Sequence, residues 1–118
     1  MENGRKLFLE LQEKGIDGAI LMDEVSQHWA TGFPFTDGGV VVGADETLLL
    51  TDSRYIEAAR GGVYADVRPI LFSKLYGDMG AYAKEKGMKK MAYDGSRTTV
   101  SQLRRLEDGS FVERLVVR

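Results

Sequence analysis

A three-layer α/β/α fold, with a mixed sheet of five to six strands, is what this sequence predicts, and three observations predict it. Leu48-Leu49-Leu50 is an apolar run without polar alternation, the pattern of a strand covered on both faces. Gly39-Val40-Val41-Val42-Gly43 is a second such run, and the Ala44-Asp45-Glu46-Thr47 between them has the length and composition of a hairpin connection. Around this central β-hairpin, stretches of helical period alternate with short apolar runs, an order that builds a sheet between two helical layers.

The elements follow in turn. Lys6 to Lys14 places Leu7, Phe8 and Leu11 on one face, and Gly15 stands where a helix commonly ends. Ile16 to Met22 reads as a strand. Asp23 then caps a short helix through Trp29, with Val25 and Trp29 four apart on one side and Gly32 as its stop. Phe33-Pro34-Phe35-Thr36-Asp37-Gly38 is a loop into the hairpin. Beyond Leu50, Thr51-Asp52-Ser53 forms a corner, Asp52 is expected to cap the next helix, and that helix runs from Arg54 to Arg60 before Gly61-Gly62.

A strand around Val67 to Ile70 contains Pro69, which confines it to a sheet edge or to its own end. Ser73 to Lys86 is a longer helix with Leu75, Met79 and Tyr82 inward, closed by Gly87. Met88 to Tyr93 is the next strand. Thr99 and Gln102 make a capping box for a helix carrying Val100, Leu103 and Leu106, and Asp108-Gly109 turns into a last strand from Phe111 to Val117.

At 118 residues the chain is one domain, with 43% hydrophobic and 29% charged residues, ordinary values for a globular fold. A net charge of -2 without a basic stripe argues against nucleic acid or an anionic membrane as partner. No cysteine is present, which fits a reducing cytoplasmic setting. No stretch approaches the ~20 apolar residues that span a bilayer. Secretion and membrane insertion are both disfavoured.

The residues suggest little chemistry. His28 is the single histidine, and no spacing such as H-E-x-x-H surrounds it. Asp23, Asp52 and Asp94 each follow an expected strand and could hold Mg²⁺, but Asp23 and Asp52 occupy cap positions and Asp94-Gly95 is turn chemistry. No catalytic residue and no metal site is therefore assigned. There is no glycine-rich phosphate cradle, and Ser53 and Ser101 have no histidine placed to activate them. Two features stand apart. Trp29, Phe33 and Phe35 crowd a short segment beside His28, either as packing under a loop or as an exposed recognition edge. Arg54 and Tyr55, at the helix start after the corner, suit an ion pair or a buried hydrogen bond better than an anion contact.

Four stretches together, Gly15-Ile16-Asp17-Gly18-Ala19-Ile20, His28-Trp29-Ala30-Thr31-Gly32-Phe33, Leu50-Thr51-Asp52-Ser53-Arg54-Tyr55 with Ala58-Ala59, and Ala92-Tyr93-Asp94-Gly95, resemble the amino-terminal domain of the creatinase/prolidase/aminopeptidase P family. Thr-Asp-Ser-Arg-Tyr is the most specific of them, and the similarity covers nearly the whole chain. The resemblance implies a ribonuclease H-like fold over residues 1–118, preceding a catalytic "pita-bread" domain absent from this chain. It implies a cytoplasmic Xaa-Pro dipeptidase or aminopeptidase that acts on proline-containing peptides. Two divalent ions, Mn, Co or Zn, would be held by Asp, His and Glu ligands of that other domain.

It further implies that this domain supports a homodimer and shapes the neighbouring subunit's active site. His28, Trp29, Phe33 and Phe35 would then be the substrate-edge or partner-facing residues, with Asp52, Arg54 and Tyr55 structural. On that view Phe33 or Phe35 should be well exposed in the isolated domain. Trp29-Ala30 stands where the family usually has Tyr-Leu, which alters any pocket wall built there. Relatives with the same domain include creatine-hydrolysing enzymes and chaperones, so a binding or assembly module is the competing implication.

Overall fold

The computed structural model describes residues 2–108 and 114–117. Among the described residues, six strands form one sheet: β1 (Gly18–Leu21), β2 (Gly39–Val42), β3 (Thr47–Thr51), β4 (Val67–Leu71), β5 (Lys90–Tyr93) and β6 (Arg114–Val117). Their order is β4-β3-β2-β1-β5-β6. β2 is antiparallel to both β1 and β3, while every other neighbouring pair is parallel. The hairpin β2–β3 is thus central, and Pro69 lies on the edge strand β4, opposite Leu49.

The apolar runs divide between two cores by strand alternation. Ala19, Leu21, Val40, Val42 and Leu49 face one side, where Leu7, Phe8 and Leu11 of α1 (Asn3–Glu13), Ala30 of α2 (Glu24–Thr31) and Ala59 of α3 (Ile56–Gly62) cover them. Ile20, Met22, Val41, Leu48 and Leu50 face the other, under Met79, Tyr82 and Ala83 of α4 (Leu75–Glu85) and Leu106 of α5 (Val100–Asp108). Leu48, Leu49 and Leu50 are all fully buried. A run of three leucines supplies both cores at once, which is why it lacks polar alternation.

Several boundaries shift for local reasons. Asp23 caps α2 as expected, accepting the Ser26 backbone N–H at 2.9 Å. Thr99 and Gln102 exchange both bonds of a capping box, 2.9 and 3.0 Å long. Asp52 does not cap α3. Its side chain accepts the Arg54 backbone N–H at 3.0 Å, a tight side-chain turn that delays the helix to Ile56. At the other end α3 continues through Gly61 and Gly62.

The Val25–Trp29 stripe is on one side of α2, but that side faces outward, with the two residues 68% and 45% exposed. The buried side consists of Gln27, Ala30 and Thr31. Val100, at the start of α5, is also exposed. The anticipated turn at Gly109 and the strand start at Phe111 lie outside the described residues.

Candidate functional site

Four aspartates collect where the parallel strands end. Asp23 follows β1, Asp52 follows β3 and Asp94 follows β5, while Asp37 precedes the antiparallel β2 and so reaches the same edge. In open α/β sheets this carboxyl edge is where ligands usually bind. Here two arginines span the acids in pairs. Arg54 Nη2 lies 2.7 Å from Asp52 Oδ2 and 3.0 Å from Asp37 Oδ2. Arg97 lies 3.3 Å from Asp23 and 3.9 Å from Asp94. The Arg54 hydrogen bonds hold the Asp52 carboxyl below its ordinary range, and Asp52 first, then Asp37, drives the guanidinium further up.

These pairings occupy the carboxylates of this edge. Among the described residues, no group of three or more His, Cys, Asp or Glu side chains is placed to hold a metal ion. Asp23 is committed to a cap, Asp52 to a turn and Asp94 to a turn through the Ser96 backbone N–H at 2.9 Å. The residues present do not fit a dinuclear centre.

Next to this edge, an open groove of about 440 Å³ is lined by Glu24, Val25 and His28 of α2 and by Pro34, Phe35, Thr36 and Tyr55. Its floor is aromatic. Phe33, Phe35 and Tyr55 form a cluster with ring centroids 6.3 to 6.5 Å apart, and the Tyr55 hydroxyl is 3.0 Å from Thr36 Oγ1. The expectation that Phe33 or Phe35 would be well exposed is not met: Phe35 is only 4% exposed, and Phe33 is half-buried against the α1–α2–α3 core. The loop folds its rings beneath itself because Gly38 leaves room for the Phe35 ring.

The structure therefore separates the four aromatic and histidine candidates. His28 and Trp29 lie on the exposed side of α2, whereas Phe33 and Phe35 pack inward. The sequence names Val25 and Trp29 as four apart on one side of the helix without saying which way that side faces. Asp37 passed as loop, although an aspartate before two glycines is a usual place for left-handed backbone, and its φ is +58°.

Comparison with known proteins places this geometry. The sequence matches the Creatinase/Prolidase N-terminal domain model over residues 5–116. The chain belongs to this family. Within the creatinase/prolidase N-terminal domain family, it is 30% identical over 89 residues to a Mycoplasma pneumoniae protein named as an Xaa-Pro aminopeptidase, a match covering 75% of this chain and 25% of that one.

Among solved structures, it resembles the X-Pro aminopeptidase from Thermotoga maritima, with TM-score 0.84, 22% identity, and 99% of this chain covering 33% of that one. The Xaa-Pro dipeptidase from Bacillus anthracis gives TM-score 0.85 and 23% identity, with coverage of 97% and 32%. The N-terminal domain of the cytoplasmic peptidase PepQ from Mycobacterium tuberculosis gives 0.84 and 24%, with coverage of 98% and 91%. These creatinase-type domains share its three-layer fold, and the chain spans about a third or less of the longer relatives. Among the described residues, no helix is long and apolar enough to cross a membrane.

Proposed function

We propose that this creatinase-type domain is the non-catalytic N-terminal part of a cytoplasmic Xaa-Pro metallopeptidase, a dipeptidase or aminopeptidase. In that protein it presents the outer face of α2 to a second subunit, at the border of the neighbour's active site. The observation that carries this reading is the exposure of Val25 and Trp29 on consecutive turns of one helix. Large apolar groups left in water beside an aromatic groove mark a surface that a partner covers. His28 stands between them and offers the one imidazole of the chain to a peptide substrate at that border.

The catalytic metals, two divalent ions such as Mn, Co or Zn, belong to the further domain, since the aspartates at the strand edge here are spent on caps, turns and arginine pairs. The absence of cysteine and the likeness to a cytoplasmic peptidase domain support the assignment to the cytoplasm. The test is kinetic. In the longer protein that carries this domain, replacing His28 and Trp29 by Ala raises KM for Xaa-Pro peptides or weakens the dimer. Unchanged kinetics together with an unchanged dimer would overturn the reading.

A further inference from the structure

The segment entering β2 is closed by two contacts to the corner after β3: Asp37 to Arg54 at 3.0 Å and Thr36 to Tyr55 at 3.0 Å. The two carboxylates on Arg54 are not equivalent. Asp52 is built in, since it accepts the Arg54 backbone N–H as well as Nε and Nη2. Asp37 arrives from another segment, its side chain 77% exposed, and touches Nη2 through a single oxygen. Among the described residues it is the one non-glycine with positive φ, a conformation that costs free energy. An exposed ion pair returns little against that cost.

Among the described residues, Arg54 Nη1 makes no hydrogen bond, so the Nη1–Nη2 edge of the guanidinium is only half used. A free carboxylate can take that edge with two parallel bonds, which Asp37 does not. The guanidinium also sits 5.1 Å from the Tyr55 ring centroid, and Tyr55 lines the apolar groove beside Pro34 and Phe35.

We propose that Arg54 is a binding site for small carboxylates, such as the free carboxyl end of a peptide, which Asp37 fills when no ligand is present. An entering carboxylate takes the place of Asp37 and releases its side chain from the corner, while Thr36 stays bonded to Tyr55 and Gly38 to Gln27. This inference rests on the geometry of Arg54 alone and stands or falls independently of any peptidase activity.

The probe is acetate, titrated against chloride at constant ionic strength into this chain, with the backbone amides of Asp37 and Gly38 and the Arg54 Nε–H followed by NMR. Acetate should shift all three signals saturably, and chloride should not. Asp37→Asn removes the competing charge at a position asparagine tolerates, and should tighten acetate binding about two- to fivefold, the worth of an exposed pair. Arg54→Gln should abolish the saturable response. Equal effects of acetate and chloride would reduce the observation to screening and overturn the proposal. So would an Asp37→Asn variant that binds no more tightly, or a response that survives Arg54→Gln. Should Arg54→Gln fail to fold, the Asp37→Asn comparison and the acetate–chloride contrast still decide.

Discussion

The ring of Phe35 lies where a side chain on Gly38 would have to go: a Cβ there would meet the Phe35 ring at 2.5 Å and the Leu50 carbonyl oxygen at 2.3 Å. The loop before β2 is therefore part of the core. Gly38→Ala should destabilise the domain by about 1–3 kcal/mol, as overpacking generally does, and Phe35→Ala by about 3–5 kcal/mol. Chemical denaturation of both variants checks this; a Phe35→Ala chain as stable as the parent would contradict the packing.

Leu49 sits on the central hairpin at zero exposure, opposite Pro69 on β4 and packed toward the α1–α2–α3 side. Leu49→Ala should cost about 2–5 kcal/mol because flanking strands prevent collapse around the cavity. Asp52→Ala loses a turn and an exposed ion pair, and should lower the melting temperature distinctly less. The reverse order would mean that the corner is a buried polar network.

The loss of pairing at acid pH should show opposite signs at two carboxyls. Burial, and then the nearby Glu2, push the Asp66 carboxyl above its ordinary 3.8. An acid raised in the folded state opposes folding once ionised, so its cost is absent below pH 3.8 and grows as pH rises through the folded value. Asp66→Asn should therefore raise the melting temperature at pH 7, with the gain vanishing on acidification. Glu46, held low by Arg68 and also bonded by the Tyr82 hydroxyl at 2.8 Å, contributes stability above its ordinary 4.5 that is lost as pH falls through the lowered value. Glu46→Gln should lower the melting temperature at pH 7 and converge with the parent in acid. Melting curves from pH 3 to 7 separate the two.

This chain by itself should not hydrolyse Xaa-Pro dipeptides, with Mn²⁺, Co²⁺ or Zn²⁺ added. Among the described residues no three His, Cys, Asp or Glu side chains are placed together to hold a metal ion, and a dinuclear site that activates water needs such a cluster. Metal-dependent turnover by a homogeneous sample would sink that expectation.

The fold was legible where one physical rule acts alone. Leu48-Leu49-Leu50 had to be a strand covered on both faces, Thr99 and Gln102 had to start a helix, and Pro69 had to lie at an edge; the structure has all three. Reading failed where two rules competed. The Val25–Trp29 stripe outranks Gln27 and Thr31 by hydrophobicity, yet Gln27 is the buried one because its side-chain N–H groups donate to the Leu21 and Gly38 carbonyls at 2.9 and 3.1 Å. Those bonds satisfy backbone carbonyls at the end of β1 and the start of β2, and nothing local in the sequence announces them. Asp52 offered equal chemistry for a helix cap and a side-chain turn, and the bond to Arg54 N–H settled it. Phe35 looked like a loop aromatic because the room made for it lies at Gly38, a close approach visible only in three dimensions.

The most direct test of the central claim uses the exposed face of α2. In the longer protein carrying this domain, Trp29→Ala and His28→Ala should be assayed for kcat and KM on Xaa-Pro peptides, with dimer mass and melting temperature measured on the same samples. The account predicts a raised KM or a weakened dimer with the melting temperature of this domain nearly unchanged, since Trp29 is 45% exposed and His28 lies on the same outer face. A lowered melting temperature with kinetics and dimer intact would contradict it, and would make the outer face of α2 a matter of stability alone.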